Sequence, residues 1–215
     1  MEKRVTAVDG VLVAVLLAGV AMLLGRSGPG LGAVLLASGA FVALALHGVW
    51  RERSPMAVAL CLGLLLCWLG DVLGYRGYFE LSAGAFLVGH LAFSCGFLAR
   101  GGDRRRLLLW TWPVALATGF VAAWLMPYVG PELRFLVVAY MVIISLLVIA
   151  ACGSRLPNSW LLIVAAVLFY VSDIAVARWK FVAPGSDQRF FCYPLYYGAC
   201  LLLALAPRWC RKEQP

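Results

Sequence analysis

Eight stretches of roughly 20 mostly apolar residues follow one another almost without interruption in this chain of 215 residues. Each is long enough to cross a hydrocarbon layer as an α-helix. Helix is the form required, because lipid offers the backbone N–H and C=O groups no partner and a helix satisfies them internally. The apolar/polar alternation of a barrel strand is absent. The spans are expected at residues 8–25, 31–50, 55–74, 82–99, 107–126, 131–152, 157–178 and 189–207. They are punctuated by Gly28-Pro29-Gly30, Ser54-Pro55, Gly101-Gly102, Pro127, Gly130-Pro131, Pro157 and Pro184-Gly185. Within the spans Gly and Pro are expected to concentrate at the ends. The expected fold is all-α, a polytopic bundle of about eight transmembrane helices forming one transmembrane domain over residues 1–215. With 64% hydrophobic and 13% charged residues and a mean hydropathy of +0.93, nothing is left from which to build a water-soluble domain.

The formal charge of +8 lies at span ends and not on one continuous face, which argues against a nucleic-acid partner. A basic excess placed this way reflects topology and contact with anionic lipid. With eight spans both termini share a side. That side carries 12 Lys and Arg residues against 6 opposite, so both termini are expected in the cytoplasm, with the protein in a bacterial inner membrane. The first apolar stretch follows Lys3 and Arg4 as a secretion signal would, but no small-residue cleavage site precedes Arg26, so it is expected to remain as span one. Seven cysteines include no CxxC and are expected to act as small packing residues, with Cys192 and Cys210 nearest a surface.

Residues 68–79, WLGDVLGYRGYF, echo residues 170–181, YVSDIAVARWKF, at an offset of 102. Asp71 then aligns with Asp173, Arg76 with Arg178 and Phe79 with Phe181. Span three matches span seven in the same orientation, as a parallel four-plus-four repeat would.

An ionisable side chain within a span costs on the order of 2.5 to 3.5 kcal/mol, so such residues are rare and commonly functional. Asp71 late in span three, His90 near the middle of span four and Asp173 late in span seven stand out. The topology puts both acids in the non-cytoplasmic half of the bilayer, with a polar cavity expected between spans three, four, seven and eight. Two readings stand for each acid: a carboxyl satisfied by a neighbouring helix, or a working group. For His90 they are an interhelical hydrogen bond or a catalytic role. His47, at the far end of span two, is expected at the interface. Tyr75, Tyr78, Glu80, Glu132, Arg134, Tyr193, Tyr196 and Tyr197 gather toward the same mouth, as an aromatic belt or as a binding surface. Arg76 and Arg178 are placed either to grip a lipid phosphate or to snorkel toward headgroups.

Two histidines at different depths do not assemble a histidine zinc site, and Gly-x-Ser-x-Gly, HExxH and P-loop patterns are missing. No metal and no cofactor are expected. Carboxylate chemistry remains.

Gly70-Asp71, Phe86 and His90 in AGAFLVGHLAF, Tyr140-Met141, and Ser172-Asp173 in LFYVSDIAVARWKF occur in an order that resembles the YhhN-like lysoplasmalogenase family over roughly residues 55–205. Residues 182–192 do not share the resemblance. The resemblance implies a membrane hydrolase that cleaves the vinyl ether bond of a lysophospholipid, the lysoplasmalogen, to a fatty aldehyde and a glycerophospho-ethanolamine or glycerophosphocholine. Asp71 and Asp173 would be the acid/base pair, in either order, and His90 an orienting residue. Tyr75, Arg76, Tyr140, Arg178, Tyr193 and Tyr196 would meet the substrate. Paired acids in a repeat also suit a proton-coupled lipid transporter or flippase, whose mark would be helices broken at corresponding mid-span positions. An accessory subunit would tolerate both acids as Asn. Beyond lysophospholipid and membrane lipids no partner is implied, and the oligomeric state stays open.

Overall fold

The protein is described by a computed structural model covering residues 5–25, 30–187 and 189–210. The basic residues Lys3, Arg4, Arg26, Arg211 and Lys212, and the Gly28-Pro29 break, lie outside the described residues.

Among the described residues eight helices are each long and apolar enough to cross a membrane: α1 (Ala7–Leu24), α2 (Leu31–Glu52), α3 (Pro55–Tyr75), α4 (Phe79–Phe97), α5 (Arg104–Leu125), α6 (Pro131–Gly153), α7 (Trp160–Ala177) and α8 (Arg189–Trp209). The chain is an integral, multi-pass membrane protein. A 3₁₀ turn, Met126–Tyr128, follows α5, and a π-helical turn, Arg178–Val182, prolongs α7.

Local chemistry sets the helix ends. Pro55 and Pro131 open α3 and α6, where a missing N–H leaves no helical bond unmade. Ser54 accepts from the Ala57 amide, and Asp103 accepts from the Arg106 amide, which starts α5 at Arg104 and not at 107. Helix α4 begins at Phe79, three residues before the expected 82, because Gly77 takes a φ of +86° and closes the turn after α3 in a single step. At the other boundary α7 begins at Trp160 and not at 157, since Asn158 occupies the left-handed region and its amide donates to the Trp209 carbonyl at the end of α8.

Most of the expected breaks fall at span ends, and Pro207 lies in the last turn of α8, but Pro113 lies inside α5 and Pro194 inside α8. Packing against neighbouring helices makes such positions tolerable in a bundle. They do not fall at corresponding positions of the two halves.

Helix α3 packs against α4, α7 against α8, α1 against α2, and α5 against α6. Helices α2 and α8 touch on one side of the bundle, and α4 and α6 touch on the other. A shift of four helices relates these pairings, while α8 also packs on α1 and α3. The echoing residues Phe79 and Phe181 meet edge to face, with centroids 5.9 Å apart. A parallel duplication remains a proposal.

The core holds Phe41, Leu44, Leu64, Phe93, Phe97, Leu147, Leu162, Phe169 and Leu203. Helix α5 is the most peripheral: Trp112 and Phe120 are 78% and 70% exposed, which in a membrane means turned to lipid. Polar contacts tether it all the same, the Thr118 hydroxyl lying 2.7 Å from that of Ser145 on α6 and 2.9 Å from that of Tyr170 on α7. Among the cysteines, Cys192 and Cys210 are buried and Cys95 on α4 is exposed, the reverse of the expectation. Helix α8 presents Cys192 inward, and Cys95 faces out from the bundle.

At the end of the bundle where α1 begins and α8 ends lies a buried charged group that hydropathy concealed. Asp9 on α1 is fully buried and receives Arg208 Nη2 of α8 at 2.5 Å. His47 Nδ1 of α2 lies 2.9 Å from the same carboxylate oxygen, and Thr6 completes a capping box with Asp9. His47 is thus engaged in an internal polar cluster and is not simply interfacial.

Candidate active site

Asp71 and Asp173 line a single cavity of about 510 Å³ at the end of the bundle away from the Asp9 cluster. Its walls come from the C-terminal ends of α3 and α7 and the N-terminal ends of α4 and α8, the four helices expected. Helix α6 adds a further wall through Leu136, Tyr140, Met141 and Ile144, and α2 and α5 contribute Val34, Val121 and Leu125. The expectation of four helices was too narrow because α6 packs between α4 and α7 and so closes the side of the cavity.

Close packing places Asp71. A Cβ on the preceding Gly70 would stand 2.7 Å from the Phe86 ring, so only glycine lets that ring lie against α3. The Ser82 hydroxyl of α4 donates to the Gly70 carbonyl at 2.8 Å and fixes the same crossing. Asp71 Oδ2 is buried and has no hydrogen-bond partner among the described residues. Tyr196 and Tyr197 of α8 stand beside it. The Tyr196 hydroxyl is likewise without a partner among the described residues.

Asp173 has different company. The Tyr140 hydroxyl donates to its Oδ2 at 3.2 Å. His90 Nε2 lies 3.9 Å from the same oxygen, beyond hydrogen-bond distance. The imidazole is fully buried behind the cavity wall, edge-on to Tyr140 and Phe169, and neither ring nitrogen has a hydrogen-bond partner among the described residues.

Of the other residues singled out in the sequence, Tyr75, Tyr193 and Tyr196 line the cavity together with Tyr140. Arg76 and Arg178 do not: both are exposed, at the ends of α3 and α7. Arg189 is engaged elsewhere. Its guanidinium forks onto Asp187 at 3.0 and 2.8 Å and donates to the Gly25 carbonyl at 3.1 Å. That fork holds the Asp187 carboxyl well below the usual carboxylate range.

The cation that does line the cavity is Lys180, in the π-helical turn, its ammonium 4.5 Å from the centre of the Phe79 ring. The sequence carries a signal for it: Lys180 follows Asp173 by seven residues, about two helical turns, and so falls on the same face. Arg178, five residues on, falls on another.

The arrangement offers two carboxyl groups, several hydroxyls and one ammonium in an otherwise apolar chamber. Among the described residues no three His, Cys, Asp or Glu side chains converge as a metal site.

Residues 30–206 match the sequence model of the YhhN family. Proteins named lysoplasmalogenase from Mycobacterium bovis and Mycobacterium tuberculosis are each 30% identical to the chain over 189 residues, 85% of this chain and 69% of the relative. The protein named Lysoplasmalogenase TMEM86A from Bos taurus is 29% identical over 171 residues, 74% of this chain and 70% of the relative. No solved structure matches. With its match running through both cavity acids and all eight of the helices but α1, the chain belongs to the YhhN family.

Proposed function

We propose that this chain is a lysoplasmalogenase that cleaves the vinyl ether of a lysophospholipid by two-carboxylate acid/base catalysis. The general reading, an ether hydrolase acting on lysoplasmalogens in a membrane, rests on family membership and on the relatives' names. The observation that carries the mechanism is the single cavity onto which Asp71 and Asp173 both open.

A vinyl ether is cleaved by protonating its outer alkene carbon. One carboxylic acid delivers that proton, leaving an oxocarbenium ion that the other carboxylate stabilises. Water adds to the cationic carbon as that carboxylate takes its proton. The resulting hemiacetal collapses with transfer of a proton to the glycerol oxygen. The products are a fatty aldehyde and a glycerophospho-ethanolamine or glycerophosphocholine, with one water consumed. The apolar wall of Val121, Leu125, Leu136, Met141 and Ile144 suits the alkyl chain. Tyr140 orients Asp173, and His90 supports both from behind.

The 12 to 6 distribution of Lys and Arg supports cytoplasmic termini, with the two acids toward the opposite side of the membrane; a bacterial inner membrane is part of the same proposal. Incubating the purified protein with a lysoplasmalogen beside its saturated alkyl ether analogue tests the activity. Aldehyde is expected from the first alone. No aldehyde from either substrate sinks the proposal.

A further inference from the structure

We propose that Lys180 is the headgroup anchor of this site: it binds the phosphate of the lysophospholipid and thereby sets the vinyl ether at the depth of the two acids. The inference rests on the hydrolase reading above for the identity of the ligand, and on the cavity for its geometry.

Among the described residues Lys180 is the one cation lining the cavity, and no carboxylate pairs with it there. Its ammonium lies over the face of Phe79, 4.5 Å from the ring centre, a contact that uses none of its N–H donors on an acceptor atom and leaves them for an anion. The deeper part of the chamber carries the two acids, and the one that works as a carboxylate repels a phosphate. A phosphate-bearing ligand therefore enters in one orientation, with the anion at Lys180 and the uncharged remainder directed inward.

The spacing agrees with that orientation. Seven residues of helix from Asp173 to Lys180 rise about 10 Å, somewhat less through the π-helical turn. A comparable distance, bridged by a glycerol unit and its two linking oxygens, separates a lysoplasmalogen's alkene from its phosphorus. Arg76 and Arg178 are exposed outside the cavity, and Arg189 is held by Asp187, so none of them competes for this place.

The test is a binding experiment that needs no turnover. An uncleavable alkyl ether lysophospholipid and the same alkyl glycerol without phosphate are titrated against the full-length protein in detergent, in wild type, Lys180→Gln and Lys180→Arg. Wild type is expected to prefer the phosphate-bearing ligand on the order of tenfold or more, the size of one charge-assisted contact. Lys180→Gln should lose that preference with little change toward the neutral ligand, and Lys180→Arg should keep most of it. A preference unchanged in Lys180→Gln overturns the proposal, as does an equal loss toward both ligands, which marks Lys180 as a purely structural partner of Phe79. Failure of the hydrolase reading shows separately, as the absence of aldehyde from cleavable substrate. In turnover the same variant should raise KM for lysoplasmalogen and leave kcat nearly unchanged, because the phosphate contact is made equally in ground and transition states.

Discussion

Asp9 and Arg208 stand 199 residues apart in the chain and meet at 2.5 Å in the bundle interior, both almost wholly shielded. Arg208 also donates to the Ala204 and Leu44 carbonyls, so one guanidinium joins α1, α2 and α8. Removing one partner of such a pair strands the other charge in an apolar setting. Asp9→Asn or Arg208→Met alone should therefore destabilise the protein by about 3 to 5 kcal/mol. The double variant Asp9→Leu/Arg208→Met should regain most of that loss, since neither charge is then left alone. Thermal unfolding in detergent reads the series, and single variants as stable as wild type would show that the pair holds nothing together.

The two cavity acids should be separable from stability. Asp71→Asn and Asp173→Asn keep shape but neither donate an acidic proton nor carry charge, so each should lower turnover at least about 10²-fold with folding intact. Tyr140→Phe removes only the hydroxyl that donates to Asp173 and should reduce kcat by roughly 10- to 100-fold, the size of a hydrogen bond to a charged group. Steady-state aldehyde release, with elution profile as the folding control, decides these. Full activity in either Asn variant removes that residue from the mechanism.

Solvent isotope gives the most direct view of the proton. In deuterated water the catalytic carboxylic acid exchanges and delivers a deuteron to carbon, so the aldehyde should carry one deuterium on the carbon next to the carbonyl. A normal kinetic isotope effect accompanies it if that transfer limits the rate. Mass spectrometry of freshly trapped aldehyde, with an undeuterated aldehyde as the control for later enolisation, measures the label. Unlabelled product means that the bond breaks by another route, and the roles given to Asp71 and Asp173 are then withdrawn.

Hydropathy along the chain determined the eight helices, since whether a segment crosses lipid depends on its own length and composition, and capping residues such as Ser54, Pro55 and Pro131 marked several ends. The level of Asp71 and Asp173 near the C-terminal ends of α3 and α7 was also legible, because each residue adds a fixed rise along a helix of known start. Which side chain faces which was not. Tyr140 reaches Asp173, Arg208 reaches Asp9, and α6 walls the cavity only because the helices adopt particular neighbours and rotations about their axes. Those are fixed by close contacts between helices, such as Phe86 on Gly70. Lys180 sits between the two cases: its seven-residue spacing from Asp173 was present in the sequence, while the cavity that gives its charge a purpose exists only once α3, α4, α7 and α8 have come together. The pattern of one helix specifies its height and its apolar face, and the partner on that face is decided by the shape of the rest of the bundle.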